Sequence, residues 1–291
     1  MQLLLAQGML YPDAHMFVQE DFYQHDIDVI ETVMTQLSLK AALKEWGNDA
    51  NKAAYSEAKQ LHWRNSFKSV HRRDLTAEQR RQILESHMIV VQKKDGTVKA
   101  REVAGGNKQR DFVSKEDASS PTAATESVLL SCAVDAKERR QTSVLDIPNA
   151  FIQTRVEREK DRAIVRIRGL VADMLGKIAP EVYSKYVTKD KCGNSELLVV
   201  CLNALYGTMV AALLFYEKFT NSLKSKGFMK NPYDPCVWNK IVNGKQLTIV
   251  FHVDDCKLSH VESKVLDDTI EWLRRNYESI FEDGSGAMKV S

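Results

Sequence analysis

Three aspartates stand where two short apolar segments end, a placement that suits metal binding. Asp146 closes the segment 143–146, and Asp254 and Asp255 follow the apolar segment 248–253. If the two segments are neighbouring strands of one sheet, the three carboxylates meet at one point, where hard cations such as Mg²⁺ bind readily. Two such ions about 3.5 to 4 Å apart activate an attacking hydroxyl and stabilise a leaving pyrophosphate.

Each feature alone also has an ordinary structural interpretation. Adjacent aspartates after a strand usually form a solvated turn, and an aspartate shortly before a proline, here Pro148, is often a cap or turn residue. The metal-site interpretation therefore depends on other parts of the chain, which must bring the two strands together.

The elements that must position these carboxylates follow one another in irregular order. Apolar residues at three- and four-residue steps predict helices, and short apolar runs bounded by turn residues predict strands. Because they do not alternate as regular βαβ units, the sequence predicts an α+β fold. The predicted helices cover residues 27–46, 53–67, 76–84, 121–137, 211–226 and 263–278, and the predicted strands cover residues 88–92, 97–103, 143–146, 163–167, 197–202, 237–242, 247–253 and 256–259.

Local signals set several of these boundaries. Thr76 and Gln79 match a capping box at a helix start, and the pairs at 95–96 (Asp-Gly) and 243–244 (Asn-Gly) are hairpin turns. Glycine at position 47 is expected to end the first helix. The residues predicted to be buried on the helices at 121–137 and 211–226 are Val128, Cys132 and Val134, and Ala212, Phe215, Phe219 and Leu223.

Composition excludes several classes of protein. The 291 residues are 44% hydrophobic and 27% charged, which allows a sizeable core and excludes a disordered tail or a collagen-like fibre. No apolar run approaches the roughly 18 residues of a spanning helix, so we expect no membrane partner. The first residues lack the basic region of a secretory signal. The five cysteines lack zinc-site spacing, which predicts free thiols in a reducing compartment.

Charge is unevenly distributed although the whole chain carries only +2. Residues 1–56 hold three lysines and eight acidic residues, whereas residues 57–115 hold 14 basic and seven acidic residues. The second stretch is suited to a polyanion such as a phosphate backbone. An ordinary solvated surface is the alternative interpretation.

Four short blocks follow one another along the chain. They are VKAREVAGG at 98–106, LDIPNAFI at 145–152, LNALYG at 202–207 and FHVDD at 251–255. In order and spacing they resemble the Y-K-A-R-L-V-A-K-G, D-V-x-x-A-F-L, K-x-A-L-Y-G and Y-V-D-D motifs of the reverse transcriptase domain of copia-type (LTR) retrotransposon gag-pol polyproteins. The likeness extends over roughly residues 55–280.

The resemblance implies a right-hand polymerase fold, with a palm made of an antiparallel sheet and helices, and with fingers. Residues 1–54 would be a helical N-terminal extension that leads in from an upstream polyprotein region. Residues 55–280 would be the fingers and palm, and residues 281–291 a truncated tail, so that the thumb is largely missing.

The resemblance also implies a nucleotidyltransferase that copies RNA or DNA into DNA. Asp146, Asp254 and Asp255 would be catalytic and would hold two Mg²⁺ ions, with Mn²⁺ as a substitute. Phe151 would lie under the incoming sugar as a steric gate that favours dNTPs, and Asn149 and Ala150 would lie near the triphosphate. An ordinary core phenylalanine is the alternative for position 151.

Three cations of the first block, or just after it, would contact triphosphate or template phosphate: Lys99, Arg101 and Lys108. The sequence does not decide among them, and solvated surface is the alternative for each. The implied partners are a template with its primer, dNTPs, and the thumb and RNase H regions of the full polyprotein. The implied compartment is a cytoplasmic virus-like particle, with the nucleus also open.

Several residues depart from the family pattern. Met209, Val210 and Leu213 replace a lysine, a glutamine and an arginine, His252 replaces the tyrosine of Y-V-D-D, and Gly105 replaces a lysine. These changes keep open a catalytically inactive, truncated remnant that at most binds nucleic acid. Without the resemblance, the residues would also allow an unrelated α+β metal-binding enzyme with no template dependence.

Overall fold

The computed structural model describes residues 36–114, 118–282 and 286–291. The helices there are α1 Leu39–Glu45, α2 Gly47–Trp63, α3 Ala77–Arg81, α4 Thr125–Glu138, α5 Leu170–Ile178, α6 Pro180–Tyr183, α7 Ala211–Ser225 and α8 Ser263–Tyr277. The strands are β1 Gln36–Ser38, β2 Phe67–Ser69, β3 Leu84–Gln92, β4 Val98–Ala104, β5 Gln141–Asp146, β6 Ile164–Arg168, β7 Thr188–Lys189, β8 Ser195–Cys201, β9 Met229–Lys230, β10 Val237–Val242, β11 Lys245–His252, β12 Asp255–His260 and β13 Lys289–Val290. This mixture of sheets and helices confirms the predicted α+β class.

The described residues divide into two compact units, one made of residues 36–54 and 89–100 and the other of residues 55–88 and the described part of 101–291. In the first unit, β1 pairs antiparallel with β3. The β3–β4 hairpin turns at Asp95 and Gly96, where the Asp95 carboxylate accepts the Thr97 N–H at 2.9 Å and Gly96 has a φ of +79°. The hairpin prediction is therefore confirmed.

The second unit contains two sheets. In the smaller one, the start of β3 runs parallel to β6, and β8 lies antiparallel to β6, β2 and β7. The larger one is antiparallel throughout, in the order β13-β5-β12-β11-β10-β9. The larger sheet carries the predicted carboxylates.

Helices α7 and α8 cover one face of the larger sheet because both are amphipathic. Phe215, Phe219 and Leu223 of α7 are buried with Leu266 and Ile270 of α8 against the apolar side of the strands. Other buried members of this core include Leu145, Ile147, Leu247, Ile249, Phe251, Leu258 and Leu273.

Helix α4 lies on the opposite face of the same sheet and is held there by charge. The Lys257 ammonium on β12 donates to the Ser131 hydroxyl at 3.0 Å and to the Asp135 carboxylate of α4. The Arg140 guanidinium donates to the Thr248 hydroxyl of β11 at 3.0 Å and lies 4.0 Å from Asp135. Buried polar contacts therefore hold α4 to this face.

The bounds of four predicted helices need correction, including the helix expected at 121–137, which begins only at Thr125. Of the helix expected at 27–46, residues 27–35 lie outside the described residues, residues 36–38 form β1, and α1 begins only at Leu39. Gly47 begins α2 instead of only ending α1, and α2 stops at Trp63, so that position 67 opens β2. The capping box of α3 is present, but α3 ends at Arg81.

The predicted core of α4 is wrong. Val128 and Cys132 are exposed, Val134 is half-buried, and the buried residue of this helix is Asp135. Periodicity counts apolar side chains, whereas this helix packs on a face where ion pairs are buried. On α7 the predicted stripe is confirmed at Phe215, Phe219 and Leu223, while Ala211 rather than Ala212 is fully buried.

Among the described residues, no helix is both long and apolar enough to cross a membrane.

Candidate active site

The two strands that carry the aspartates are neighbours, as the metal-site interpretation required. β5 and β12 pair antiparallel with Asp146 directly opposite Asp255. Asp254 lies in the turn between β11 and β12, beside Val253, whose φ is +57°. The Ile147 N–H donates to the Asp254 carbonyl at 2.9 Å, which ties this turn to the end of β5.

The three carboxylates influence one another electrostatically. Burial raises the pKa of Asp254, and the nearby charges of Asp146 and Asp255 raise it further. The Arg101 guanidinium acts in the opposite direction on the same pKa. Asp146 and Asp255 are themselves exposed. Such a cluster of negative charge is stabilised by a bound cation.

The donor chemistry of the cluster fits a hard divalent cation such as Mg²⁺. Within residues 36–114, 118–282 and 286–291, no three His, Cys, Asp or Glu side chains already stand at full ligand spacing. Mg²⁺ commonly takes only one or two protein carboxylates and completes its shell with water and substrate phosphate, so a preformed cage is not required.

Four strands contribute one residue each to the row that holds the two facing aspartates. His252 on β11 is opposite Asp255, Asp255 is opposite Asp146, and Asp146 is opposite Lys289 on β13. Directly paired residues share one face of a sheet. The acidic pair is therefore flanked by His252 on one side and by Lys289 on the other, and all four are exposed.

An aromatic group borders the carboxylates. The rings of Phe151 and Tyr206 lie 4.9 Å apart between centroids, and Phe151 also meets Phe215 at 6.5 Å. The Arg101 guanidinium carbon lies 4.9 Å from the Tyr206 ring centroid. Burial raises the pKa of Tyr206 to about 12, with added contributions from Asp254 and Asp146. These residues therefore form one continuous cluster with the acids.

Comparison with known families agrees with this geometry. A family model described as "Reverse transcriptase (RNA-dependent DNA polymerase)" matches residues 77–280, more than half of the chain. The chain belongs to this reverse transcriptase family. No curated protein matches the chain at a significant level.

The segment of this reverse transcriptase domain between Asp146 and Phe151 has a constrained backbone and is partly buried. Asn149 has a φ of +54°, in the left-handed region that asparagine tolerates better than most residues. Ala150 is 1% exposed and packs into the core. Phe151 is half-buried and touches two core clusters, so it combines a core position with a free edge.

The three predicted cations of the reverse transcriptase domain occupy different settings. Arg101 joins the acidic and aromatic cluster. The Lys108 ammonium donates to the carbonyl of Ile83, the residue directly before β3, at 3.2 Å. Lys99 is exposed on β4 in the first compact unit. Of these three, Arg101 has a charge that acts on a carboxylate of the cluster, that of Asp254.

The apolar substitutions after the L-Y-G motif are accommodated by packing. The Met209 N–H donates to the Gln109 side-chain oxygen at 2.8 Å. Val210 is 8% exposed and lines a cavity of about 240 Å³ with residues that include Phe112 and Arg158.

Sequence reasoning gave no role to Tyr206 or to the glycine after it. A side chain at Gly207 would place its Cβ 2.1 Å from the Ala104 carbonyl oxygen, so the two backbones meet too closely for any other residue. A Cβ at position 106 would likewise lie 2.0 Å from the Gly207 carbonyl oxygen. The L-Y-G and G-G motifs are the sequence features that could have indicated this close approach.

Proposed function

We propose that this chain is the reverse transcriptase domain of a copia-type LTR retrotransposon, part of a gag-pol polyprotein, and that it adds dNTPs to a primer 3′-hydroxyl. The observation that carries the proposal is the pairing of Asp146 opposite Asp255, with Asp254 coupled to both. These are the acids of two family motifs that lie about 110 residues apart in the chain. Membership of the reverse transcriptase family supports the polymerase reaction and disfavours an unrelated metal-binding enzyme.

In this proposal Asp146, Asp254 and Asp255 hold two Mg²⁺ ions, with Mn²⁺ as a substitute. Ions held there supply charge stabilisation to the attacking hydroxyl and the leaving pyrophosphate. Exposure of Asp146 and Asp255 leaves room for substrate phosphate beside them. Arg101 adds a positive charge that acts on Asp254, which suits the binding of a triphosphate.

Phe151 would discriminate between sugars. A ring held at a fixed place beside the carboxylates would collide with a 2′-hydroxyl and admit a deoxyribose. Asn149 and Ala150 would lie near the triphosphate. Because the side chain of Ala150 is buried, Ala150 would contact the triphosphate through its backbone. Lys99 and Lys108 remain candidates for contacts with triphosphate or with template phosphate.

The larger antiparallel sheet with its helices would be the palm, and residues from the β3–β4 hairpin would belong to the fingers. The proposed organisation has an extension at 1–54, the polymerase region at 55–280 and a short tail at 281–291. The proposed partners are an RNA or DNA template with its primer, dNTPs, and the thumb and RNase H regions of the polyprotein. The proposed compartment is the cytoplasmic particle or the nucleus.

Primer extension on poly(rA)/oligo(dT) with Mg²⁺ or Mn²⁺ tests this function. The wild-type chain should extend the primer, and the variant Asp254→Asn/Asp255→Asn should not. The matched control is Asp267→Asn/Asp268→Asn, which changes an adjacent, exposed aspartate pair on α8 of the same unit. Equal extension by wild type and the first variant would refute the site assignment.

The second candidate function is an inactive remnant that at most binds nucleic acid. The specific observation in its favour is the apolar stretch at Met209 and Val210, where the family pattern has polar residues. It predicts that the wild type binds primer–template in a filter assay and gives no extension, also when the chain is lengthened through a thumb.

A further inference from the structure

Tyr206 connects the proposed steric gate to the acidic cluster. Its ring packs on Phe151 with centroids 4.9 Å apart and planes at 54°. Arg101 lies over the same ring at 4.9 Å. The charges of Asp146 and Asp254 both reach its phenol. Among the described aromatic pairs, Phe151 meets two rings, those of Tyr206 and Phe215.

The backbone of Tyr206 is fixed more firmly than its loop position alone would imply. The Ala104 N–H donates to the Tyr206 carbonyl at 2.7 Å. The next residue, Gly207, has a φ of +83° and approaches Ala104 so closely that a Cβ would lie 2.1 Å from its carbonyl oxygen. The backbone of Tyr206 is thus tied to the end of β4, which fixes the point from which its ring reaches Phe151.

Phe151 needs such a support because it is only half-buried. Phe215 lies fully in the core and holds one part of the Phe151 ring at 6.5 Å. The closer contact, at 4.9 Å, comes from Tyr206. A ring with a free edge keeps one position only when its neighbours fill the space behind it.

We propose that Tyr206 is a positioning residue for sugar discrimination, because its ring supports Phe151 in the place where Phe151 excludes a ribose 2′-hydroxyl. This inference rests on the proposed function. It assigns the effect to the aromatic ring of Tyr206, so the hydroxyl group is dispensable. Loss of the ring would let Phe151 recede and would admit ribonucleotides.

The test measures kcat/KM for dTTP and UTP on poly(rA)/oligo(dT) in the full chain. We expect Phe151→Val to lower the dTTP preference about 100-fold, Tyr206→Leu about 10-fold, and Tyr206→Phe less than about twofold. The double variant Phe151→Val/Tyr206→Leu should match Phe151→Val alone, because the support matters only while the gate is present. For Tyr206→Leu, kcat/KM for dTTP should change less than about threefold.

The matched control is Tyr216→Leu. Tyr216 is also a half-buried tyrosine, its ring lies 6.0 Å from Phe251, and its hydroxyl donates to the Pro235 carbonyl at 3.2 Å. The Tyr216→Leu variant is expected to leave the preference for dTTP over UTP unchanged. If Tyr206→Leu lowers dTTP and UTP incorporation by the same factor, Tyr206 has a merely structural role and the inference is wrong while the proposed function stands.

A second measurement does not depend on activity. Urea unfolding of the two single variants and the double variant should be non-additive, since the two rings support each other. Additive unfolding would overturn the inference whatever the enzyme does. If the wild type extends no primer at all, the proposed function fails first, and sugar discrimination by Tyr206 fails with it.

Discussion

The two faces of the larger sheet use the same strands for opposite purposes. On one face, Leu145 and Cys256 are buried with α7 and α8 in a continuous apolar core. On the other face, the adjacent residues Asp146 and Asp255 are exposed at one end, and Lys257 is bound to Asp135 further along. Successive side chains of a strand point to opposite faces, so neighbouring residues such as Leu145 and Asp146 can belong to different faces.

The difference shows that one face of the sheet stabilises the fold and the other presents the carboxylates. The apolar face is dry and tightly packed, so it fixes the backbone of β5 and β12. Because both faces belong to the same strands, the carboxylates on the charged face are held in register by packing on the apolar face. A substitution on the apolar face should therefore affect mainly stability, and one on the charged face mainly activity. The neighbouring residues Leu145 and Asp146 of β5 allow a direct comparison.

The largest expected effect comes from Asp146 and its neighbour Leu145. Asp146→Asn should lower primer extension at least about 10³-fold, equivalent to about 4 kcal/mol of transition-state stabilisation, and should leave the urea midpoint of unfolding nearly unchanged. Leu145→Ala should lower the free energy of unfolding by about 2 to 5 kcal/mol. A large loss of stability in Asp146→Asn would contradict this division between the faces.

Glu102 allows a further comparison, because it is a buried acid whose pKa is shifted mainly by burial, whereas Asp135 is ion-paired with Lys257. It is 1% exposed, and its Oε2 atom has no hydrogen-bond partner among the described residues. Burial raises its pKa to about 7; a hydrogen bond from Ser86 opposes this shift, and the charge of Glu57 adds to it. The family motif has an apolar leucine at this position.

The pH dependence of stability follows from that raised pKa. Between pH 4.5 and 7 the folded protein keeps a proton on Glu102 that the unfolded chain has lost, so stability falls as pH rises through this window. The loss attributed to Glu102 should reach about 3 kcal/mol above pH 7 and should disappear in Glu102→Gln, measured by urea unfolding at pH 5 and pH 8. Exposed Glu217→Gln is the control, and identical pH profiles for wild type and Glu102→Gln would exclude this explanation.

Sequence predicted the parts of this molecule that depend on local pattern. The Asp-Gly hairpin, the capping box of α3 and the stripe of α7 all follow from residues a few positions apart. Strand ends predicted that the three aspartates would meet if their strands were neighbours, and β5 and β12 do pair with Asp146 opposite Asp255. Local pattern failed on α4, because the burial of Asp135 depends on Lys257, a residue more than 100 positions away.

The contacts of Tyr206 were missed for the same reason. Its neighbours Arg101 and Phe151 come from different parts of the chain, and no short pattern records their meeting. The resemblance to a family indicated that the L-Y-G motif matters, whereas only the close approach of Gly207 to Ala104 explains why glycine stands there.

The smallest expected effect lies at the edge of the charged face, where Lys289 stands opposite Asp146. An ammonium directly across from a carboxylate lowers the local negative potential and competes with a cation bound there. Lys289→Gln should therefore tighten Mn²⁺ binding, measured by calorimetry without nucleotide, by about two- to fivefold, since an exposed charge pair at about 4 Å is worth about 1 kcal/mol in water. Lys264→Gln, an exposed lysine on α8, should leave the affinity unchanged. Because screening by salt weakens exposed pairs, the difference between the two variants should shrink at 1 M salt. An effect that persists there would mean that Lys289 acts by shaping β13 rather than through its charge.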